Sequence, residues 1–265
     1  MPSVTVHDYA WIRSSPLFQL ALEAGYALTL VRGVAPGEVL RVMEAEPLGV
    51  CAGVDALIER QQELLDASDY WDASTIAGAF TVPGEGGDWT LVLHFDGGMA
   101  MRPRFLEALS AGGRAVVHSS NGGKPIDLFD WYEAGELRTT FEWPTTREGS
   151  TPDDLNSVMR EVGFDLSDDD SGAHVDTKAA VLALAERLTG VRVTEDLLRD
   201  AEYQLGHVPE EPAKEWTSVV IDITDAHGER LYKEVTRQEV ESAMARACAE
   251  ADRQERAVED REGLA

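Results

Sequence analysis

Apolar and polar residues alternate in two stretches of the first half of the chain. From Trp89 to Phe95 and from Leu137 to Trp143, every second side chain is large or β-branched. A period of two is the signature of a strand with one buried face. The pattern therefore predicts half-buried strands at both places, and the uninterrupted apolar run at 26–31 predicts a buried strand.

Glycine-rich turns separate these stretches from their neighbours. A cluster at 83–87 follows an apolar run at 76–82, and Gly135 separates 126–132 from 136–143. Glycine adopts positive φ without a steric penalty, which tight hairpin turns require. We therefore expect two antiparallel hairpins within one sheet.

The second half of the chain has a mainly helical pattern. Residues 177–188 are nearly continuous in alanine and leucine, and a threonine suited to an N-cap opens a helix at 194–205. A capping box at Thr236 precedes a terminal helix. Between these helices, the apolar residues at 219–223 predict a buried strand that could extend the sheet.

These patterns predict an α+β fold, an antiparallel sheet with helices packed on one face. The C-terminal half is expected to be helical, with one added strand and a terminal helix. An acidic, polar break at 168–172 separates a sheet domain at 1–165 from a mainly helical region at 173–265. The sequence is compatible with two domains and with one body in which the helical region packs on the sheet.

The charge of the chain is strongly negative and bears on its partners. Its 265 residues include 49 acidic and 23 basic ones, a net charge of −26, and the excess is spread along the chain. Such a field repels nucleic-acid phosphates and anionic lipid surfaces and speeds encounter with a basic protein. We predict a basic protein partner, no nucleic-acid binding and no membrane binding. The simpler alternative is an acidic surface that only keeps the protein in solution.

Other features bear on location and cofactors. No apolar run reaches the ~18 residues that a transmembrane helix needs, and the first residues lack a secretory pattern. Cys51 and Cys248 belong to no CxxC motif or Cys/His cluster, which argues against a zinc site or a disulfide framework. We expect a cytoplasmic protein with no cofactor and no bound metal.

Several segments resemble a family of uncharacterised actinobacterial domains of the Streptomyces type. They are Trp11, the strand YALTLVRG at 26–33, the turn at 109–112, Gly135 to Leu137, and the run AAVLALAERLTGV from Ala179. The resemblance covers roughly residues 8–207. An excess of 19 arginines over 4 lysines also favours a high-GC bacterial source. Because the family has no established biochemical role, the resemblance implies no site residue.

Two groups of residues are candidates for a functional site. Tyrosine and tryptophan combine a large apolar area with a polar group, which suits protein binding. The aromatic candidates are Tyr70, Trp71, Trp131, Tyr132 and Trp143. A second group of polar residues could form a pocket that transfers protons or holds a metal. The members of this pocket are His94, Asp96, His118 and Asp130.

These observations lead to three hypotheses on function. We favour a non-catalytic, cytosolic protein-binding module whose acidic surface binds a basic partner, as an immunity protein or a regulatory subunit would. No nucleophile elbow, phosphate loop or zinc spacing points to a reaction. The alternatives are a small-molecule sensor or enzyme with the His/Asp pocket, and a structural component of a larger assembly that docks through its C-terminal helix.

Overall fold

A nine-stranded antiparallel sheet dominates the computed structural model of the chain. The structure describes residues 4–15, 25–67, 74–95, 101–121, 127–167, 176–211, 217–224, 228–240, 242–243 and 246. The chain divides into two compact units, Met1–Glu211 and Pro212–Ala265, and the large sheet belongs to the first.

The strands of this sheet come from the whole length of the first unit. They are Tyr26–Arg32 (β1), Glu46–Ala52 (β2), Thr75–Gly84 (β3), Gly87–His94 (β4), Arg114–Ser120 (β5), Asp127–Glu133 (β6), Glu136–Trp143 (β7), Thr146–Glu148 (β8) and Glu202–Val208 (β9). Their order in the sheet is β2-β9-β3-β4-β1-β5-β6-β7-β8. The hairpins β3–β4 and β6–β7 confirm the two that were predicted, and Gly135 has the positive φ that its turn needs.

Helices connect the strands of the first unit. They are a 3-10 helix at Val6–Arg13 and the α-helices Pro36–Val42 (α1), Gly53–Ala67 (α2), Pro103–Ser110 (α3), Asn156–Val162 (α4), Thr177–Thr189 (α5) and Glu195–Asp200 (α6). In the part of the chain that the structure describes, no helix is both long and apolar enough to cross a lipid bilayer.

The helices cover both faces of the sheet. On one face, the 3-10 helix, α2, α4, α5 and α6 bury side chains in a first, larger core. On the other face, α1 and α3 form a second core with the sheet. Strand β1 lies between them, and alternate residues point to opposite faces. Leu28 and Leu30 therefore belong to the first core, and Val31 to the second.

The predicted fold class is wrong in two respects. Helices pack on both faces of the sheet, so the fold is a mixed α/β fold and not an α+β fold with helices on one face. The C-terminal half is rich in strands, because it contains β7, β8 and β9 and two further strands, Ser218–Thr224 (β10) and Arg230–Thr236 (β11). The predicted break at 168–172 lies outside the described residues.

Strand β9 replaces the second half of a predicted helix. The expected N-cap exists, since Thr194 accepts a hydrogen bond from the backbone N–H of Leu197, but the helix ends at Asp200. In the following residues Tyr203 and Leu205 are buried while Glu202 and Gln204 are exposed. This alternation is typical of a strand. Strand β9 lies between β2 and β3, and one row of its side chains is buried in the first core.

The second unit contains the hairpin of β10 and β11, which forms a sheet of its own. Val219, Val220 and Ile223 are exposed, so the prediction that this strand is buried is wrong. The capping box is confirmed, because the backbone N–H of Thr236 donates to Glu239 and the N–H of Glu239 donates to the Thr236 hydroxyl. Helical residues follow at 237–240.

The burial of α5 leads to a test of the fold. Leu182 is fully buried, whereas Leu65 on α2 is 52% exposed. We expect Leu182→Ala to lower the free energy of unfolding by about 3 kcal/mol, because it leaves a cavity in the first core. The control Leu65→Ala should change it by less than about 0.5 kcal/mol. Urea denaturation measures both values, and equal losses would contradict the described packing of α5.

Candidate protein-binding surface

The structure does not gather the aromatic candidates on one surface. Trp131 and Tyr132 are adjacent on β6, so they point to opposite faces of the sheet, and each is buried in one of the cores. Trp143, at the end of β7, is 60% exposed. Tyr70 and Trp71 lie outside the described residues. Among the described members, only Trp143 is accessible to a partner.

The sheet also separates the polar candidates. His94 and His118 pair with adjacent residues of β1, so their imidazoles point to opposite faces. Asp130 pairs with the residue that precedes His118 and therefore points away from it. Burial raises the pKa of Asp130. Asp96 lies outside the described residues.

His118 belongs to a buried polar cluster at one end of β1, β5 and β6. Its Nε2 atom lies 2.8 Å from the Tyr26 hydroxyl, and its Nδ1 atom lies 3.4 Å from the carbonyl oxygen of Leu128. Because a carbonyl only accepts, we assign the proton of the neutral ring to Nδ1, and Tyr26 then donates to Nε2. Burial lowers the pKa of His118 to about 4 and raises the pKa of Tyr26 well above its ordinary value.

Lys178, in the first turn of α5, completes this cluster. Its Nζ donates to Asp127 Oδ1 at 2.5 Å and to Ser120 Oγ at 2.8 Å. A lysine that activates a serine must accept its proton, whereas this ammonium donates to the hydroxyl and is paired with a carboxylate. The cluster therefore ties α5 to the sheet. In the described part of the chain, no three His, Cys, Asp or Glu side chains lie close enough together to hold a metal ion.

Acidic side chains are concentrated at one edge of the large sheet. Strand β2 is the last strand there, and it pairs with β9. Helices α1 and α2 lie near it on opposite faces of the sheet, and α6 packs on α2. We call these five elements the β2 surface. They carry ten acidic and three basic residues, a net charge of −7. The elements of the opposite edge, β7, β8 and α4, carry four acidic and three basic residues, a net charge of −1.

Local ion pairs neutralise the few cations of the β2 surface. Its three arginines each pair with a neighbouring carboxylate, in the pairs Arg41–Glu38, Arg60–Glu63 and Arg199–Asp196. Four further carboxylates are exposed and have neither a cationic partner nor a side-chain hydrogen bond among the described residues. They are Glu46, Asp55, Glu59 and Glu202. The negative charge at this edge is therefore available to a partner.

The same edge exposes apolar side chains. Leu48 is 50% exposed and Val50 is 62% exposed, although both belong to a strand. A groove of about 460 Å³ lies beside them between α1, β2 and β9, and its lining includes Leu40 and Gln204. An apolar groove with acidic surroundings suits a partner that is both apolar and basic. No sequence motif marks this site, because its residues are scattered from α1 to β9.

The buried imidazole of His118 predicts a dependence of stability on pH. The unfolded chain binds a proton at this residue near its ordinary pKa of 6.5, whereas the folded chain binds it only near pH 4. The contribution is complete above pH 6.5 and is lost as the pH falls toward 4, and it amounts to about 3 kcal/mol. His118→Gln should remove this part of the pH dependence of the free energy of unfolding.

Chemical denaturation at a series of pH values between 7 and 4 measures this effect. The exposed His7 provides a matched control, and His7→Gln should follow the wild type. Parallel losses of stability in the wild type and in His118→Gln would show that His118 does not cause the pH dependence.

Comparison with known proteins identifies a family but no function. A family model described as a family of unknown function (DUF6461) matches residues 2–213. No curated protein and no solved structure matches the chain. The match ends two residues after Glu211, the last residue of the first unit. It confirms the resemblance to an uncharacterised family, and the chain therefore belongs to the DUF6461 family.

Proposed function

We propose that this protein is a non-catalytic protein-binding module whose β2 surface binds a basic protein. The observation that carries this proposal is the excess of unpaired carboxylates around an edge strand with exposed Leu48 and Val50. Protein interfaces combine an apolar centre with a polar rim, and complementary charge selects the partner. The β2 surface has both components within five contiguous elements.

The charge of the first unit supports the same partner class. Residues 1–211 include 36 acidic and 15 basic residues, a net charge of −21. This field attracts a basic protein over distances of about one Debye length, ~10 Å, and repels nucleic-acid phosphates. It also opposes the association of two copies of the chain.

The proposed surface differs from the aromatic patch that the sequence suggested. Trp131 and Tyr132 fill the two cores and support the sheet from within. The accessible apolar side chains at the β2 edge are aliphatic, and the acidic residues surround them there. We therefore propose that this protein, which we expect in the cytoplasm, binds its partner at the β2 edge.

Two variants of equal charge can test this location. One variant removes the four exposed carboxylates of the β2 surface that have neither an ion pair nor a side-chain hydrogen bond, by the substitutions E46Q, D55N, E59Q and E202Q. The control variant removes four exposed carboxylates on other elements, by the substitutions D88N, E107Q, E142Q and E148Q. Each variant has a net charge of −22 instead of −26, and each replaces one aspartate and three glutamates.

We expect the control variant to retain a basic partner that the β2 variant loses. The first measurement is affinity capture from an actinobacterial lysate, because composition predicts such a source, and mass spectrometry identifies the captured proteins. The second measurement is the Kd of each variant for the captured basic protein. The Kd for the β2 variant should be at least about tenfold higher, because the steering and pairing charges are gone. Equal binding to both variants would contradict the proposed surface, as would a failure to capture any basic protein.

A further inference from the structure

We infer that the partner supplies an extended segment, with alternating apolar and basic residues, that pairs with the free edge of β2 as a tenth strand. This inference rests on the proposed function, because it takes the basic partner as given. It adds how that partner binds and what sequence pattern its binding segment has.

The outer edge of β2 is available for pairing. Among the described residues, β2 pairs with β9 on one side and with no strand on the other. Every residue of β2 is exposed except the half-buried Cys51. The N–H and C=O groups along such an edge form a ready template for another strand, and addition of an extended peptide is a common way to use it.

Local features of β2 restrict pairing to its second half. Pro47 has no N–H, and a bulge between Pro47 and Gly49 shifts the register with β9. Gly49 has a φ of 92°, outside the range of an extended strand. From Val50 to Ala52 the register is regular. The bulge prevents regular pairing along the first half of the edge, and a partner strand would pair with the second half, from Val50 to Ala52.

The two faces of this edge differ in chemistry. Val50 pairs with Gln204, and both line the groove beside α1. The next residue, Cys51, faces the side of α2, where Asp55 and Glu59 are exposed. A strand alongside β2 would therefore place alternate side chains over an apolar groove and beside carboxylates. The side-chain amide of Gln204 makes no hydrogen bond to any described residue, so it is free to bond with that strand.

A second copy of the chain does not fit this edge. Antiparallel pairing of two β2 strands would bring the unpaired carboxylates of both copies together, and like charges in an interface select against such pairing. Lysine or arginine at every second position of the added strand satisfies the same carboxylates. The charge pattern thus favours a basic strand from a different protein.

The probes for this inference are fluorescent peptides of about ten residues, the length of a strand, in which lysine and valine alternate. Two further peptides carry N-methyl groups, one on all valines and the other on all lysines. In an extended strand the N–H groups of alternate residues point to opposite edges, so only one of these two rows can face β2. All three peptides have the same charge and the same side chains.

We expect the full-length protein to bind the unmodified peptide and one N-methylated peptide, and to bind the other N-methylated peptide at least about tenfold more weakly. Val50→Lys should weaken binding of the unmodified peptide by about tenfold, because it adds a like charge at the groove. Val219 on β10 offers a matched control, since it is 49% exposed, and Val219→Lys should have no effect.

The other outcomes overturn the inference. Equal binding of all three peptides would show that charge alone holds them, and the proposed function would still stand. Loss of binding with both N-methylated peptides would contradict pairing along a single edge, and absence of binding by any peptide would exclude the added strand. The capture experiment uses no peptide, so it decides the proposed function independently.

Discussion

Burial of β1 on both faces is the constraint on which the rest of the structure depends. Its residues from Tyr26 to Val31 are all buried between the two cores. A strand in this position requires helices on both faces, and a buried polar side chain on it is stabilised by a hydrogen-bond partner. The Tyr26 hydroxyl has such a partner in His118, whereas the buried Thr29 hydroxyl has none among the described residues. A sheet that is covered on both faces can offer a partner only its edges and the outer sides of its helices.

The two edges of the sheet are protected in different ways. Strand β8 has three residues, and Arg147 in it is held by the carbonyl of Pro152 and by Asp153. Strand β2 is longer and carries exposed apolar residues, which would make an unprotected edge prone to self-association. Its proline, its bulge and the surrounding carboxylates reduce that risk. In the proposed interaction, the same carboxylates that oppose self-pairing would select a basic partner, so protection and recognition would have one physical origin.

Local patterns in the sequence were sufficient to predict some elements. Alternation and glycine predicted the hairpins β3–β4 and β6–β7. The sequence does not predict β9, because the N-cap at Thr194 favours a helix longer than the one that ends at Asp200. The unbroken apolar run of β1 predicts a buried strand, and burial on both of its faces requires helices on both sides of the sheet.

The candidate surface could not be predicted in the same way. Its carboxylates come from segments as distant as Glu46 and Glu202, and only the pairing of β2 with β9 brings them to one edge. The aromatic candidates were attractive for their size, yet size also favours a place in the core, as for Trp131. The contacts of His118 likewise depend on strand register, which a single sequence does not specify.

Charge and strand pairing have separate consequences for the proposed interaction. Carboxylates at the rim act over several ångströms before contact, so they mainly raise the association rate and are screened by salt. Backbone hydrogen bonds and the apolar contact at Val50 form only after docking, and they mainly lower the dissociation rate. An acidic surface without a pairing edge would give fast but short-lived encounters. In the proposed interaction, the combination at β2 would provide both fast capture and a long residence time, which a protein that acts by holding its partner requires.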